Sequence, residues 1–422
     1  MAGLSALIDA RLARLPRKLS LEWPGGRLGA RVADVHLKLA DWRPLAWLAS
    51  GRIGTLADAC VRGDLEIEGR LTDVMAIAAA LAGDPVARGA RTARPRWLAR
   101  WHSRWLHGKR KSAEHVRAHY DLCDEFYALW LDPWRVYSCA YYRDPAMDLA
   151  QAQRAKLDHV CRKLLLAPGQ RFLDVGAGWG GLLLWAAEHY GVQALGITLS
   201  RRQHAHVSRL IDAMGLRGRV EVRLADYRDL AAGPGFDRIA SVGMIEHVGR
   251  AHRGDYFTKL RGLLVPGGLL LNHGITAGGL DNDELGAGMG DFIGTHIFPG
   301  GELVHVSREC SELARAGLEL VDVENLRPHY ARTLWAWSDA LEQQLARAEE
   351  LTSPATVRAY RLYLAGSAMA FERGWLSLNQ LLAIRPDGDI EHGPMRGSQS
   401  AYPFNRDHLA AVEPRALPGA PP

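Results

Sequence analysis

The segment Leu173-Asp174-Val175-Gly176-Ala177-Gly178-Trp179-Gly180-Gly181 constrains this chain more than any other stretch. It joins a short apolar run, RFLDV, to an apolar helical pattern, GLLLWAAEHY. Glycines at such a corner let the backbone pass close to a ligand, and the helix that follows presents its amino end. Strand, glycine turn and helix together are a recipe for holding an adenosine-bearing ligand, although a packing turn or a dinucleotide site has the same outline. Two features favour S-adenosylmethionine. The spacing is GxGxG instead of the GxGxxG of dinucleotide sites, and no ribose-binding acid closes the next strand, where Thr198, Ser200 and Gln203 stand.

The pattern around the turn repeats. A helix over AQRAKLDHVCRKLLL precedes it. The strand VQALGIT, the helix SRRQHAHVSRLIDAMG and the strands VEVRLAD, FDRIASVGM and LLVPGGLLLNHGI follow. Short apolar runs separated by helical ones predict an α/β fold with a parallel, doubly wound, Rossmann-like sheet. After a less regular stretch beyond residue 275, helices are predicted around 333–350 and 355–382. The Pro- and Gly-rich tail reads as loose. Before the linker, the strand-like runs ARVADVHLKL and GDLEIEG alternate with the helix-like runs WRPLAWLASG and LTDVMAIAAALAG, with turns near Gly51, Gly63 and Gly69. A small α+β domain fits that pattern. A chain of 422 residues is too long for one ordinary core. It divides into residues 1–90, a basic Trp-rich linker at 91–117, a catalytic domain at 118–385 and a tail at 386–422.

The net charge of +5 is concentrated, because residues 88–117 hold ten Lys/Arg against Glu114 alone. Pro95 suits the first turn of a helix on which Trp97, Trp101 and Trp105 share one face, with Arg96, Arg100 and Arg104 on the adjoining stripe. Basic side chains attract anionic headgroups at about 1 kcal/mol each, and tryptophans settle at the bilayer interface. A linker whose tryptophans pack against the catalytic domain competes with this reading, and nucleic-acid contact is disfavoured. Five cysteines without regular spacing suggest neither a disulfide framework nor a metal site, and a reducing compartment is expected. The opening residues lack an uninterrupted apolar stretch and no run reaches membrane-spanning length. The expected location is cytoplasmic, peripheral to the inner face of the cell membrane.

Six blocks make a more specific signal. They are HYDLCDEFYALWLDPWRVYSCAYY at 119–142, LDVGAGWGG, GITLSRRQ, ADYRDL, SVGMIEHVG and NLRPHYARTLWAW. In this order they resemble the cyclopropane-fatty-acyl-phospholipid synthase family, which includes the mycolic acid cyclopropane synthases. The resemblance covers residues 115–382. It implies a class I S-adenosylmethionine-dependent methyltransferase domain. The N-terminal part resembles that family's lipid-binding domain, which is similar to sterol carrier domains. The implied substrate is an unsaturated phospholipid in a bilayer, and a homodimer is plausible on the same ground.

Carried over position by position, the resemblance places Tyr137, Ser138, Asp174, Gly176, Gly178, Thr198, Gln203, Asp226 and Tyr227 around the cofactor. It places Cys139, Glu246, His273, Ile275 and Tyr330 around a bicarbonate ion beside the methyl group, with Cys139 and Ile275 acting through their main chains. Taken singly, Cys139 reads as a buried small residue, Glu246 as a helix cap, and His273 and Tyr330 as packing. His247 reads as structural or as a support behind the residues of the site. Ser367 stands where some family members have a cysteine, which excludes a thiol nucleophile there. The glycine-rich stretch 277–301 is expected to line the acyl channel and leaves the product open. Relatives use the same cation to make methyl-branched, methylene or hydroxylated chains instead of a ring. A lipid-binding protein on a disused methyltransferase fold and an amine N-methyltransferase are the remaining alternatives.

Overall fold

The computed structural model describes residues 11–86, 122–231, 233–280, 288–387, 402–403 and 405–410. The linker tryptophans Trp97, Trp101 and Trp105 lie outside them.

Near the N-terminus, strands β1 (Leu19–Trp23), β2 (Gly26–Gly29), β3 (Val35–Leu39) and β4 (Leu65–Gly69) form a sheet ordered β2-β1-β3-β4. β1 and β3 run parallel, and the other two pairs are antiparallel. β3 buries Val35, Leu37 and Leu39 and turns Lys38 outward, the alternation of a sheet with one covered face. Three helices, Pro44–Ser50, Ile53–Arg62 and Leu71–Ala82, accompany the sheet. The first two end on Gly51 and Gly63 in the left-handed region, which glycine enters without a Cβ clash. The hairpin β1–β2 and the helix Ile53–Arg62 add to the elements expected from sequence. That helix has no side-chain cap and is only ten residues long, so its local signal is weak.

The second sheet has seven strands: β5 (Arg171–Val175), β6 (Gln193–Thr198), β7 (Val220–Leu224), β8 (Phe236–Val242), β9 (Leu264–Ala277), β10 (Glu319–Asn325) and β11 (Leu376–Ile384). Their order is β10-β11-β9-β8-β5-β6-β7. The run from β7 to β9 is parallel, as predicted, but β11 is antiparallel to both β9 and β10, so the sheet is mixed. The helix predicted over 355–382 is also corrected. The helix Pro354–Glu372 stops before Gly374, which takes φ +72°, and β11 follows. Eight of the nine β11 residues are buried. A strand covered on both faces shows no alternation and cannot be told from a buried helix by periodicity.

The tail is not wholly loose. Among its described residues Tyr402 is buried, and the His408 carbonyl accepts a hydrogen bond from Arg162 on the helix Leu149–Lys163 at 3.3 Å. Among the described residues, no helix is long and apolar enough to cross a membrane.

β5 has β6 on one side and β8 on the other: the chain builds outward through β6 and β7, then crosses back to add β8 and β9 on the opposite side. That is the switch point at which open α/β sheets bind ligands.

Candidate active site

The glycine turn sits at that switch point. Gly176, Gly178 and Gly180 have φ of +83°, +54° and +89°. A Cβ on Gly176 would stand 2.5 Å from Met244 Cγ, so a side chain there would have to displace Met244 and would also be strained by the backbone conformation. The Gly176 and Ala177 amides donate to the Ile197 carbonyl on β6, which holds the turn against the sheet.

A groove of about 80 Å³ runs over the turn, lined by Gly176, Gly178, Thr198, Gln203, Asp226 and Tyr227 among others. Thr198 Oγ1 donates to Gln203 Oε1 at 2.7 Å and accepts from the Ser200 amide at 3.1 Å. Ser200 caps the helix Arg201–Ala213, which positions Gln203 in its first turn. The Asp226 carboxylate binds Arg228 Nη2 at 2.6 Å and the Arg228 amide at 2.9 Å, so its own loop engages it. Tyr227 meets Tyr256 edge to face at 4.8 Å.

Beside the groove lies a chamber of about 650 Å³. Cys139, Glu246, His273, Ile275 and Tyr330 all line it, together with Tyr137 and Ser138. Asp174 lines neither cavity. It is buried in β5, where loss of hydration raises its carboxyl to about 7 despite the charge of Lys156. Lys156 is itself buried, is lowered to about 8 by burial, and donates to Ser138 Oγ at 2.9 Å.

Glu246 Oε1 accepts the Ile275 amide at 2.7 Å, so the main-chain donor of Ile275 is engaged by the carboxylate. Glu246 Oε2 and His273 Nε2 are buried and have no hydrogen-bond partner. Burial raises the Glu246 carboxyl and, with the charge of Lys156 next, pushes His273 down to about 3. The histidine is therefore a neutral ring at physiological pH, and the glutamate is an under-solvated acid beside it. An unpaired acid oxygen and an unpaired imidazole nitrogen on two residues that line the same chamber fit a small anion that carries a proton, such as bicarbonate. Cys139 is fully buried, and lost hydration holds its thiol protonated. Tyr330 packs on Phe371 with ring centroids 4.7 Å apart.

Gly243 and His247 line both cavities, and neither was singled out as a site residue from sequence. Gly243, at φ +69°, follows β8, and its amide donates to the His273 carbonyl at 2.9 Å. A glycine directly after the strand next to β5 was the available signal. Ser367 also lines the chamber, as do Met289, Phe298 and Gly301 of the 277–301 stretch, whose residues 281–287 lie outside those described. Among the described residues, no group of three or more His, Cys, Asp or Glu is placed to hold a metal.

A parallel core with an antiparallel strand inserted beside it, and a glycine turn at its switch point, define a class I S-adenosylmethionine-dependent methyltransferase. The model of the mycolic acid cyclopropane synthetase family matches residues 107–381, and the chain belongs to that family. A probable fatty acid methyltransferase of Pseudomonas putida is 42% identical over 379 residues, covering 90% of this chain and 94% of the relative. The cyclopropane synthase MmaA2 of Mycobacterium tuberculosis superposes with a TM-score of 0.60 at 36% identity, over 64% of this chain and 98% of that one. The mycolic acid cyclopropane synthase CmaA1, solved with SAH and CTAB, gives a TM-score of 0.61 at 36% identity, over 64% and 98%.

Proposed function

We propose that this enzyme methylates the cis double bond of an unsaturated fatty acyl chain in a membrane phospholipid and closes a cyclopropane ring. The observation that carries this reading is that Glu246 and His273, each with a buried polar atom that has no partner, both line one largely apolar chamber. S-adenosylmethionine supplies the methyl group on a sulfonium when bound. Gly176, Gly178, Thr198 and Gln203 would hold the cofactor in the groove, and Gly243 and His247, which line both cavities, would lie between it and the acyl chain.

An alkene is a weak nucleophile, so fixing it in line with the methyl is the enzyme's first contribution. Methyl transfer leaves a cation on the acyl carbon. The faces of Tyr137 and Tyr330 and the Glu246 carboxylate stabilise positive charge in a site that excludes water. A proton must then leave for the ring to close. A bicarbonate held by Glu246, His273 and Tyr330 would supply the base. Exclusion of water keeps the cation from becoming an alcohol.

The test is incubation of the purified protein with labelled S-adenosylmethionine and vesicles of monounsaturated phospholipid, followed by fragmentation of the acyl products. Unaltered chains overturn the proposal. The resemblance to a fatty acid methyltransferase supports a second reading, a methyl-branched or methylene product. The same fragmentation separates the two. We further propose that the enzyme is cytoplasmic and meets the inner face of the membrane through residues 88–111.

A further inference from the structure

The chamber that holds Glu246 and His273 does not end within the catalytic domain. Its far side is the interior of the N-terminal unit, formed by Leu37, Leu56, Ile67, Met75, Ile77 and Ala78 among others. The two parts are fitted closely. Gly54 meets the backbone of Gly288, where a Cβ would fall 2.0 Å from the Gly288 carbonyl oxygen. Asp58 pairs with His296 at 2.9 Å, and the Arg358 guanidinium binds the Val61 carbonyl at 2.8 Å and 3.1 Å. Across the junction, a Cβ on Gly366 of the helix Pro354–Glu372 would lie 4.0 Å from Met75 Sδ.

We propose that the methyl-terminal segment of the acyl chain lies inside the N-terminal unit, whose core sets how much chain beyond the double bond is accepted. This rests on the acyl-chain reading above. The reacting carbons must lie beside Glu246 and His273. The side chains contributed by the N-terminal unit are aliphatic and offer no partner to a headgroup or carboxyl, so only hydrocarbon can occupy that end. The family model begins at residue 107, after this unit, so this wall lies outside the part that the model describes. Gly366 lines the chamber opposite Met75, where a larger side chain would reach into the tail's path.

The experiment uses full-length protein and phospholipid vesicles whose monounsaturated chains keep the double bond at one distance from the carboxyl. The methyl-terminal segment is lengthened two carbons at a time. Ala78→Phe fills the N-terminal end, and Gly366→Leu narrows the junction from the opposite side. Leucine is a better helix former than glycine, which keeps the second variant foldable if the first is not. The expected result is a loss of about tenfold or more on the longest segment, with the shortest turned over within about twofold of wild type. An equal loss on every length, or an unchanged length profile, overturns the proposal. Wild-type protein inactive on the whole series would instead sink the acyl-chain reading itself.

Discussion

Gln380 and His273 face each other directly across the β9–β11 ladder, and the Gln380 side-chain amide donates to His273 Nδ1 at 3.2 Å. A neutral imidazole has one donor and one acceptor nitrogen, so a donor at Nδ1 places the proton on Nε2, the atom that is buried without a partner beside the chamber. His273 thereby presents a donor at Nε2, which suits the anion proposed above and not the role of base. Gln380→Leu is expected to lower kcat about tenfold to a hundredfold, with cofactor Kd little changed. Nitrogen-15 NMR of labelled histidine should show the Nε2–H tautomer in the wild type and a mixture in the variant. Nδ1–H in the wild type would contradict the assignment.

Glu246→Gln should reduce kcat about a hundredfold or more while leaving calorimetric binding of S-adenosylmethionine within about twofold. The pH profile carries the sign. Burial raises the Glu246 carboxyl, so its anion forms only above the ordinary carboxylate range, and activity should climb with pH through that raised value. His273, pushed down to about 3, contributes nothing to this limb. An acid limb that persists in Glu246→Gln would assign it to another group.

Cys139→Ala should stay within about threefold of wild-type turnover, because a buried thiol held protonated is no thiolate nucleophile. Complete loss of activity in a folded variant would give the sulfur a chemical role.

Gly176→Ala should destabilise the fold by about 1–3 kcal/mol through the φ of +83° and the Met244 contact. It should also weaken cofactor binding by about tenfold or more. Thermal melting and calorimetry read the two effects separately, and an unaffected Kd would place the cofactor elsewhere.

Replacing Trp97, Trp101 and Trp105 with Ala should weaken sedimentation with anionic vesicles by about tenfold or more, given the interfacial preference of tryptophan. Turnover on detergent-dispersed substrate should survive. Undiminished vesicle binding would refute the interfacial role.

The glycine turn and the strand–helix alternation from residue 150 to 275 were legible from the sequence because their signals are local, and the family's ordered blocks picked out five residues, Cys139, Glu246, His273, Ile275 and Tyr330, that line one chamber. The antiparallel β11 was not, since Leu376–Ile384 is buried on both faces and lacks a period. Gln380 went unnoticed because its role exists only once β11 pairs with β9. Gly243 and His247 were passed over because lining two cavities at once is a property of the fold and not of a short motif. The extension of the chamber into the N-terminal unit was equally out of reach. Residues such as Met75 and Gly366 meet only through packing of parts almost three hundred positions apart.

The late return of β11 to the middle of the sheet has a consequence for how the chain is made. On the ribosome, β9 emerges about a hundred residues before the strand that covers its open edge. Until then a long apolar strand offers bare backbone groups to any neighbour, and such non-local closure is slow. Nascent chains halted between these two strands should therefore be the aggregation-prone species, and a chaperone that shields β9 would decide the yield of this enzyme.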